Sequence, residues 1–318
     1  MRARLRRAVA RLVERPDIAI DHDFRPPPYG GSNQFLLALR GELRRRGLRV
    51  GANVVTSRTR ACLLNAHAFD DRALRSMLHP GCRVVHRVDG PLATYRGFDD
   101  GADARIAALN AELAHATVVQ SRYSLEASAQ VGIELRDPVV IPNAVDPELF
   151  YPPASREPLT GRKVRLITTS WSDNPNKGTE TYRWLERQLD WSRFEWTFAG
   201  RTAAAFERIR VVPPVGSAQV AELLREHDVF VTASVHDAAS NALLEALACG
   251  LPALYTLSGG HAEIAGEAGL GFAEREELPE LLDRLVEELD ERRELIRIPT
   301  LAETADRYLA VLGLGPGA

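Results

Sequence analysis

Short apolar runs alternating with longer amphipathic ones recur along the whole chain, and this alternation is what most narrows the folds open to it. Runs of strand length stand at 17–22, 50–55, 62–65, 83–88, 116–120 and 138–141, with helical periodicity at 33–46, 102–114 and 121–130. Strands alternating with helices predict a parallel sheet covered on both faces. The rhythm stops between Pro142 and Arg162, where five prolines interrupt it as in a linker. It then resumes, with strands predicted at 163–169, 194–199, 209–212, 228–232 and 252–256 and helices at 177–189, 217–226 and 240–249. The charged stretch 275–294 and the segment 299–312 read as closing helices. The expectation is an α/β chain of two Rossmann-like domains, 1–156 and 157–298, with a helix in 299–318 that returns to the first.

With 318 residues the chain is long enough for two cores. A net charge of -3 gives no global electrostatic case for nucleic acid, so no nucleic-acid partner is expected. The three cysteines, Cys62, Cys82 and Cys249, are widely spaced and form no CxxC pair, which argues against a disulfide framework and a structural zinc site. No apolar run is long enough to span a bilayer and the start lacks the pattern of a secretory signal, so a cytoplasmic location is expected. Residues 3–14 form a basic amphipathic pattern, with Leu5, Val9, Leu12 and Val13 on one face and arginines around them. Two readings stay open: a helix covering the flank of the first domain, or a peripheral contact with an anionic membrane surface.

The segment from Asp237 to Glu245 places two carboxylates eight positions apart, one before a helix and one inside it, with Ser240 or Asn241 as N-cap. Carboxylates accept from sugar hydroxyls, and free amides at a helix start suit a diphosphate. Spacing alone also fits an acidic loop residue and a solvated helix glutamate. Gly30 and Gly31, between a strand and a helix, allow close backbone approach to a phosphate or sugar, or make a plain tight turn. Lys177 precedes Gly178 at a helix start and is either a counter-charge for a diphosphate or a surface lysine. Asp89 ends a strand before Gly90, as a hydroxyl-orienting carboxylate or a turn-forming Asp-Gly pair. His67 and His86 read as strand-end histidines, and Asp21-His22-Asp23 as residues shaping the exit of the first strand rather than a metal-binding DxD.

Asp237-x7-Glu245 followed by Ala246-Leu247-Ala248-Cys249-Gly250-Leu251-Pro252 resembles the E-x7-E…EAxxCGxP element of the family-four, GT-B-fold glycosyltransferases. Tyr29 to Phe35 looks like the first glycine-rich loop of that family, and Val140-Ile141-Pro142-Asn143-Ala144-Val145-Asp146 like its IPNGVD linker. Thr168 to Gly178 resembles the loop that carries a basic pair for phosphate, and Ser258 to Glu263 its GGxxE turn. The resemblance implies a GT-B fold and a retaining, metal-independent, hexosyltransferase-like enzyme. It would use a UDP- or GDP-sugar as co-substrate, with no cofactor, and transfer the sugar to the hydroxyl of a glycan, a lipid-linked glycan or a small molecule. The rival readings are a non-catalytic GT-B subunit and a sugar-nucleotide epimerase.

The resemblance places Asp237 at the donor sugar and Glu245 at the ribose, with Ser240, Asn241, Ala242 and Leu244 completing the donor contacts at the helix start. It adds Gly30, Gly31 and Ser172 to the donor site and makes Asp237, Lys177 and Asp89 the catalytic candidates. Asp237 stands where the family has glutamate, Asp89 where it has histidine, and no arginine precedes Lys177 in its loop. Arg201 is the candidate for that missing charge, or else a solvated arginine.

Overall fold

The computed structural model describes residues 15–26, 30–67 and 69–315. The basic segment 3–14, and with it the expected membrane contact, lies outside them. The first half of the chain runs β1 (Ile18–Asp21), α1 (Gly31–Arg45), β2 (Val50–Ala52), β3 (Ala61–Asn65), α2 (Asp71–Arg75), β4 (Arg83–Arg87), α3 (Leu92–Arg96), α4 (Ala102–Leu113), β5 (Ala116–Val119), α5 (Arg122–Gln130) and β6 (Pro138–Val140). The second runs β7 (Val164–Ser170), α6 (Thr179–Gln188), β8 (Phe194–Gly200), β9 (Arg210–Val212), α7 (Ser217–Glu226), β10 (Val229–Thr232), α8 (Asn241–Ala248), β11 (Ala253–Thr256), α9 (His261–Ala265) and β12 (Gly269–Phe272). Helices α10 (Leu278–Glu287), α11 (Leu289–Glu294) and α12 (Leu301–Val311) follow.

The strands form two six-stranded sheets, ordered β2-β1-β3-β4-β5-β6 and β12-β11-β10-β7-β8-β9. Every neighbouring pair is parallel. Strands β1, β3, β5 and β10 are buried at every position, as a sheet covered on both faces requires. The period of two is visible in β10, where Val229 and Val231 join the core on one face and Phe230 the core on the other.

Helix α1 buries Phe35, Leu36, Leu39 and Leu43 at helical spacing and carries Arg44 and Arg45 in its last turn, where cations favour the helix dipole. Helix α12 opens with a Thr300–Glu303 capping box and places Ala305, Tyr308 and Leu309 in the core that α1 shares with β1 and β3. The last helix of the chain is therefore part of the first sheet's hydrophobic core.

The expected strand at 50–55 ends at Ala52, because Asn53 turns the chain at φ +56° and its side chain accepts from the His22 amide. Strand β12 and the short helices α2, α3 and α9 were not legible in the sequence. The strand Gly-Leu-Gly-Phe offers too few side chains to show a period. Strand order reverses between β1 and β3 in one sheet and between β7 and β10 in the other, and ligands of such sheets settle at the carboxyl ends beside those reversals.

Candidate active site

The two reversals face each other across a cleft of about 380 Å³. His22, Gly30, Gly31 and Asp89 line it from the first domain, and Ser172, Lys177, Asp237, Ser240, Asn241, Ala242 and Glu245 from the second. Several hydrogen bonds close the domains over it. Asn174 and Asn176 donate to the Tyr95 carbonyl at 3.1 and 2.8 Å, and Ser121 Oγ to the Ala238 carbonyl at 2.7 Å. The carboxylate of Glu263, in the GGxxE-like turn, accepts from the first two amides of α5, Arg122 and Tyr123, at 2.8 and 2.9 Å. Glu263 thus caps a helix of the opposite domain.

Lys177 and Asp237 meet as an ion pair, with Nζ 2.7 Å from Oδ2. Lys177 is carried by a short 3-10 turn, Pro175–Lys177, that ends at Gly178. Gly178 has φ +81°, and a Cβ there would stand 2.3 Å from the Ala233 carbonyl oxygen, so only glycine lets this loop lie against the end of β10. The ammonium also sits over the Tyr95 ring at 5.1 Å. Asp237 is 8% exposed, follows His236 at φ +56°, and is backed by the Gly259–Gly260 turn, whose Gly260 amide donates to the Asp237 carbonyl. Burial opposes both charges, yet each partner holds the other ionised: Asp237 lies below its ordinary value and Lys177 above its own. Separate duties were expected of the two residues; in the structure they form one ion pair.

Asp89 belongs to a second network. The fully buried Arg87 places Nη1 2.7 Å from Asp89 Oδ1 and 2.8 Å from Asn65 Oδ1, and Nη2 3.1 Å from Asn143 Oδ1. An arginine only donates, so both asparagines must turn their oxygens to it. Asn143 is left to donate to Asn241 Oδ1 at 3.0 Å, which ties the interdomain linker to the first residue of α8. Arg87, Asn65 and Asn143 were not singled out by residue in the sequence, although an arginine inside an apolar strand was the available signal.

Helix α8 opens with Ser240 as N-cap, its side chain accepting from the Leu243 amide. The amides of Asn241 and Ala242 precede any intrahelical acceptor and face the cleft end of the helix. Gly31 packs against this end so closely that a Cβ would fall 2.4 Å from Asn241 Nδ2. Gly31→Ala is accordingly expected to force α1 and α8 apart, costing about 1–3 kcal/mol of stability. Gly30→Ala, whose methyl would meet Trp171 at 3.4 Å, is the control expected to fold normally; equal melting temperatures for the two variants would refute this account.

Glu245 lies one turn further along α8, half-buried between the main cleft and a smaller cavity of about 150 Å³ behind it. Burial pushes its carboxyl from an ordinary 4.5 up to about 8, with no cation offsetting it among the described residues. Below pH 4.5 both folded and unfolded chains hold the proton; between 4.5 and 8 only the folded chain does, so rising pH erodes stability across that window. Glu245→Gln is therefore expected to be more stable than the parent above pH 8, by on the order of 1 kcal/mol or more, with the gap closing toward pH 5. Urea unfolding at pH 5 and pH 9 measures it, and a pH-independent gap would overturn it.

Two expected site residues fall outside the cleft lining. Arg201 is exposed and stacks on the Trp171 ring at 4.4 Å, its amide donating to the Ser170 carbonyl at the end of β7 after Gly200, at φ +142°, turns the chain. Leu244 is 4% exposed and its amide donates to the Ser240 carbonyl. Ser172 does line the cleft, but its hydroxyl accepts from the Asn174 amide and shapes the Lys177 loop. His86 is a core residue bonded to the Ala66 carbonyl and Asn110, with burial lowering its pKa to about 4. Asp21 and Asp23 diverge, the first buried against Cys62 and the second paired with Arg25 at the surface.

Facing sheets of this order have clear structural counterparts. Sucrose-phosphate synthase from Thermosynechococcus elongatus superposes with a TM-score of 0.67 at 16% identity, over 93% of this chain and 94% of that one. The Anabaena protein Alr3699/HepE, solved in complex with UDP-glucose, gives 0.65 at 14% identity over 93% and 96%. WaaG, a glycosyltransferase involved in lipopolysaccharide biosynthesis, gives 0.62 at 17% over 93% and 96%. In sequence, residues 188–290 match the family described as Glycosyl transferases group 1. The fold is GT-B. No curated protein sequence matches the chain. The group 1 match spans β8 to the start of α11 and so includes Asp237, α8 and Glu245, whereas Lys177 and the first-domain half of this GT-B cleft lie outside it.

Proposed function

We propose that this chain is a retaining glycosyltransferase that moves a sugar from a nucleotide-diphosphate sugar to an acceptor hydroxyl. The observation that carries the reading is the convergence of the Lys177–Asp237 pair, the free amides at the start of α8 and Glu245 on one interdomain cleft. A diphosphate at the helix start meets two amides and the nearby ammonium, which is where negative charge grows as the C1–O bond to the leaving phosphate breaks. Glu245 lies one helical turn on, placed to accept from ribose hydroxyls, and Pro214 and Val215 border the cleft where a base would rest. The acceptor oxygen attacks C1 on the face the diphosphate leaves, and a phosphate oxygen takes its proton. Lys177 balances that charge in the absence of an arginine in its loop, and no metal is needed for the step. The UDP-glucose complex of Alr3699/HepE supports a UDP-sugar donor.

Thermal shift with UDP-, GDP- and ADP-sugars identifies the donor, since a ligand at a hundred times its dissociation constant adds about 2.7 kcal/mol. Turnover of that donor, by hydrolysis or transfer, is expected to survive a chelator and to vanish in Glu245→Ala. Nucleotide binding without turnover of any donor would instead make the chain a non-catalytic GT-B subunit.

A further inference from the structure

Helix α3 belongs to the first domain, yet none of its side chains is fully buried, and hydrogen bonds at its two ends hold it in place. At its start the Leu92 and Ala93 amides donate to the Asp103 carboxylate of α4 at 2.7 and 3.0 Å. At its end the carbonyls of the last turn have no donor inside the helix and must find one elsewhere. The second domain supplies it. Asn176 Nδ2 donates to the Thr94 and Tyr95 carbonyls at 3.3 and 2.8 Å, and Asn174 Nδ2 to the Tyr95 carbonyl at 3.1 Å. Asn174 presents its nitrogen because its oxygen already accepts from the Asn176 amide at 3.0 Å. The loop that seats the end of α3 is therefore the loop that carries Lys177.

Tyr95 is the α3 side chain that meets Lys177 in the cleft, with Nζ 5.1 Å from the centre of its ring. The Lys177 side chain is 19% exposed, and Asp237 Oδ2 takes one of the N–H donors of its ammonium. Burial works against the charge, and Asp237 and then Tyr95 outweigh it. The two partners act differently. Asp237 cancels the charge it holds. Burial pushes the Tyr95 phenol above its ordinary value, against the opposing pull of Lys177, so the phenol is neutral near pH 7. Its ring face attracts the ammonium without cancelling the charge, a hold suited to a cation that must still meet a phosphate.

We infer that Tyr95 is a positioning residue for Lys177: its ring face holds the ammonium when α3 is seated on the Lys177 loop, so that both domains together put in place the charge that meets the leaving diphosphate. This rests on the glycosyltransferase reading and extends it to a residue of the first domain that no local motif marks. Kinetics on the full chain, with the nucleotide sugar that thermal shift identifies, test it. Tyr95→Leu is expected to lower kcat about tenfold, as for loss of a partly desolvated cation–π contact, with donor KM within about twofold of the parent. Tyr95→Phe keeps the ring face and is expected to retain most of the parent's kcat. In a Lys177→Met background the change to Leu is expected to cost nothing further, because the group it acts through is gone. A merely structural role lowers kcat equally in both backgrounds. That result, or a Tyr95→Phe variant as impaired as Tyr95→Leu, overturns the proposal. Melting temperatures of the parent, the two single variants and the double variant test the contact without turnover. The loss caused by Tyr95→Leu is expected to shrink by about half or more when Lys177 is methionine, and an equal loss in both backgrounds overturns the contact. A parent chain that turns over no nucleotide sugar overturns the glycosyltransferase reading instead, and the melting temperatures still decide whether Tyr95 holds Lys177.

Discussion

Replacing Lys177 with methionine is expected to lower donor turnover by about a hundredfold to a thousandfold, the usual effect of removing a group that stabilises charge developing in a transition state. The substitution does two separable things. In the proposed mechanism it removes the cation at the leaving diphosphate, and it strands Asp237, a carboxylate 8% exposed whose ionisation is favoured by the 2.7 Å pair with Lys177. An uncompensated buried charge costs several kcal/mol, so the variant should also lose stability. Adding Asp237→Asn removes that second defect. The double variant is expected to recover most of the melting temperature while turnover stays low. Recovery of turnover together with stability would reduce Lys177 to a structural partner of Asp237 and sink its role at the phosphate.

A loss of about 3–5 kcal/mol is expected for Arg87→Met, measured as the unfolding free energy of the first sheet in urea. Methionine matches much of the aliphatic volume but donates nothing. Asn65 Oδ1 and Asn143 Oδ1 then lose the donor they face, and Asp89 loses its cation. The effect reaches both domains, because Asn143 also donates to Asn241 at the start of α8. Nucleotide binding should weaken even in molecules that remain folded, as the helix start loses its tie to the linker. A cost below about 1 kcal/mol would mean that water replaces Arg87 in this network.

The alternation of strand and helix was readable because every strand of a covered parallel sheet is apolar and every helix keeps an apolar stripe. The expected elements at 83–88, 116–120, 217–226 and 252–256 lie within a residue or two of β4, β5, α7 and β11. Asp237, Lys177, Asp89 and Glu245, expected from the sequence as site residues, all line the cleft: the first three lie in loops beside a strand end or helix start, and Glu245 one turn inside α8. Their partners were not legible in the sequence. Arg201 had the right charge and stands at the end of β8, yet its guanidinium stacks on the cleft-lining Trp171 and does not itself line the cleft. Neither the turn at Gly200 nor the aromatic wall leaves a local signature in the sequence.

Local patterning by itself determined that this chain builds two parallel sheets joined by a proline-rich linker, and it marked α8 with its flanking carboxylates as the place for a ligand. Only the tertiary structure decided which charges neutralise one another: Lys177 with Asp237, sixty positions away, and Arg87 with Asp89, Asn65 and Asn143. The physical reason is that periodicity reports which way a side chain points from its own backbone, while hydrogen-bond partners depend on which strand ends become neighbours. That adjacency is set by the order β2-β1-β3-β4-β5-β6 and by the closure of two domains, both products of long-range packing.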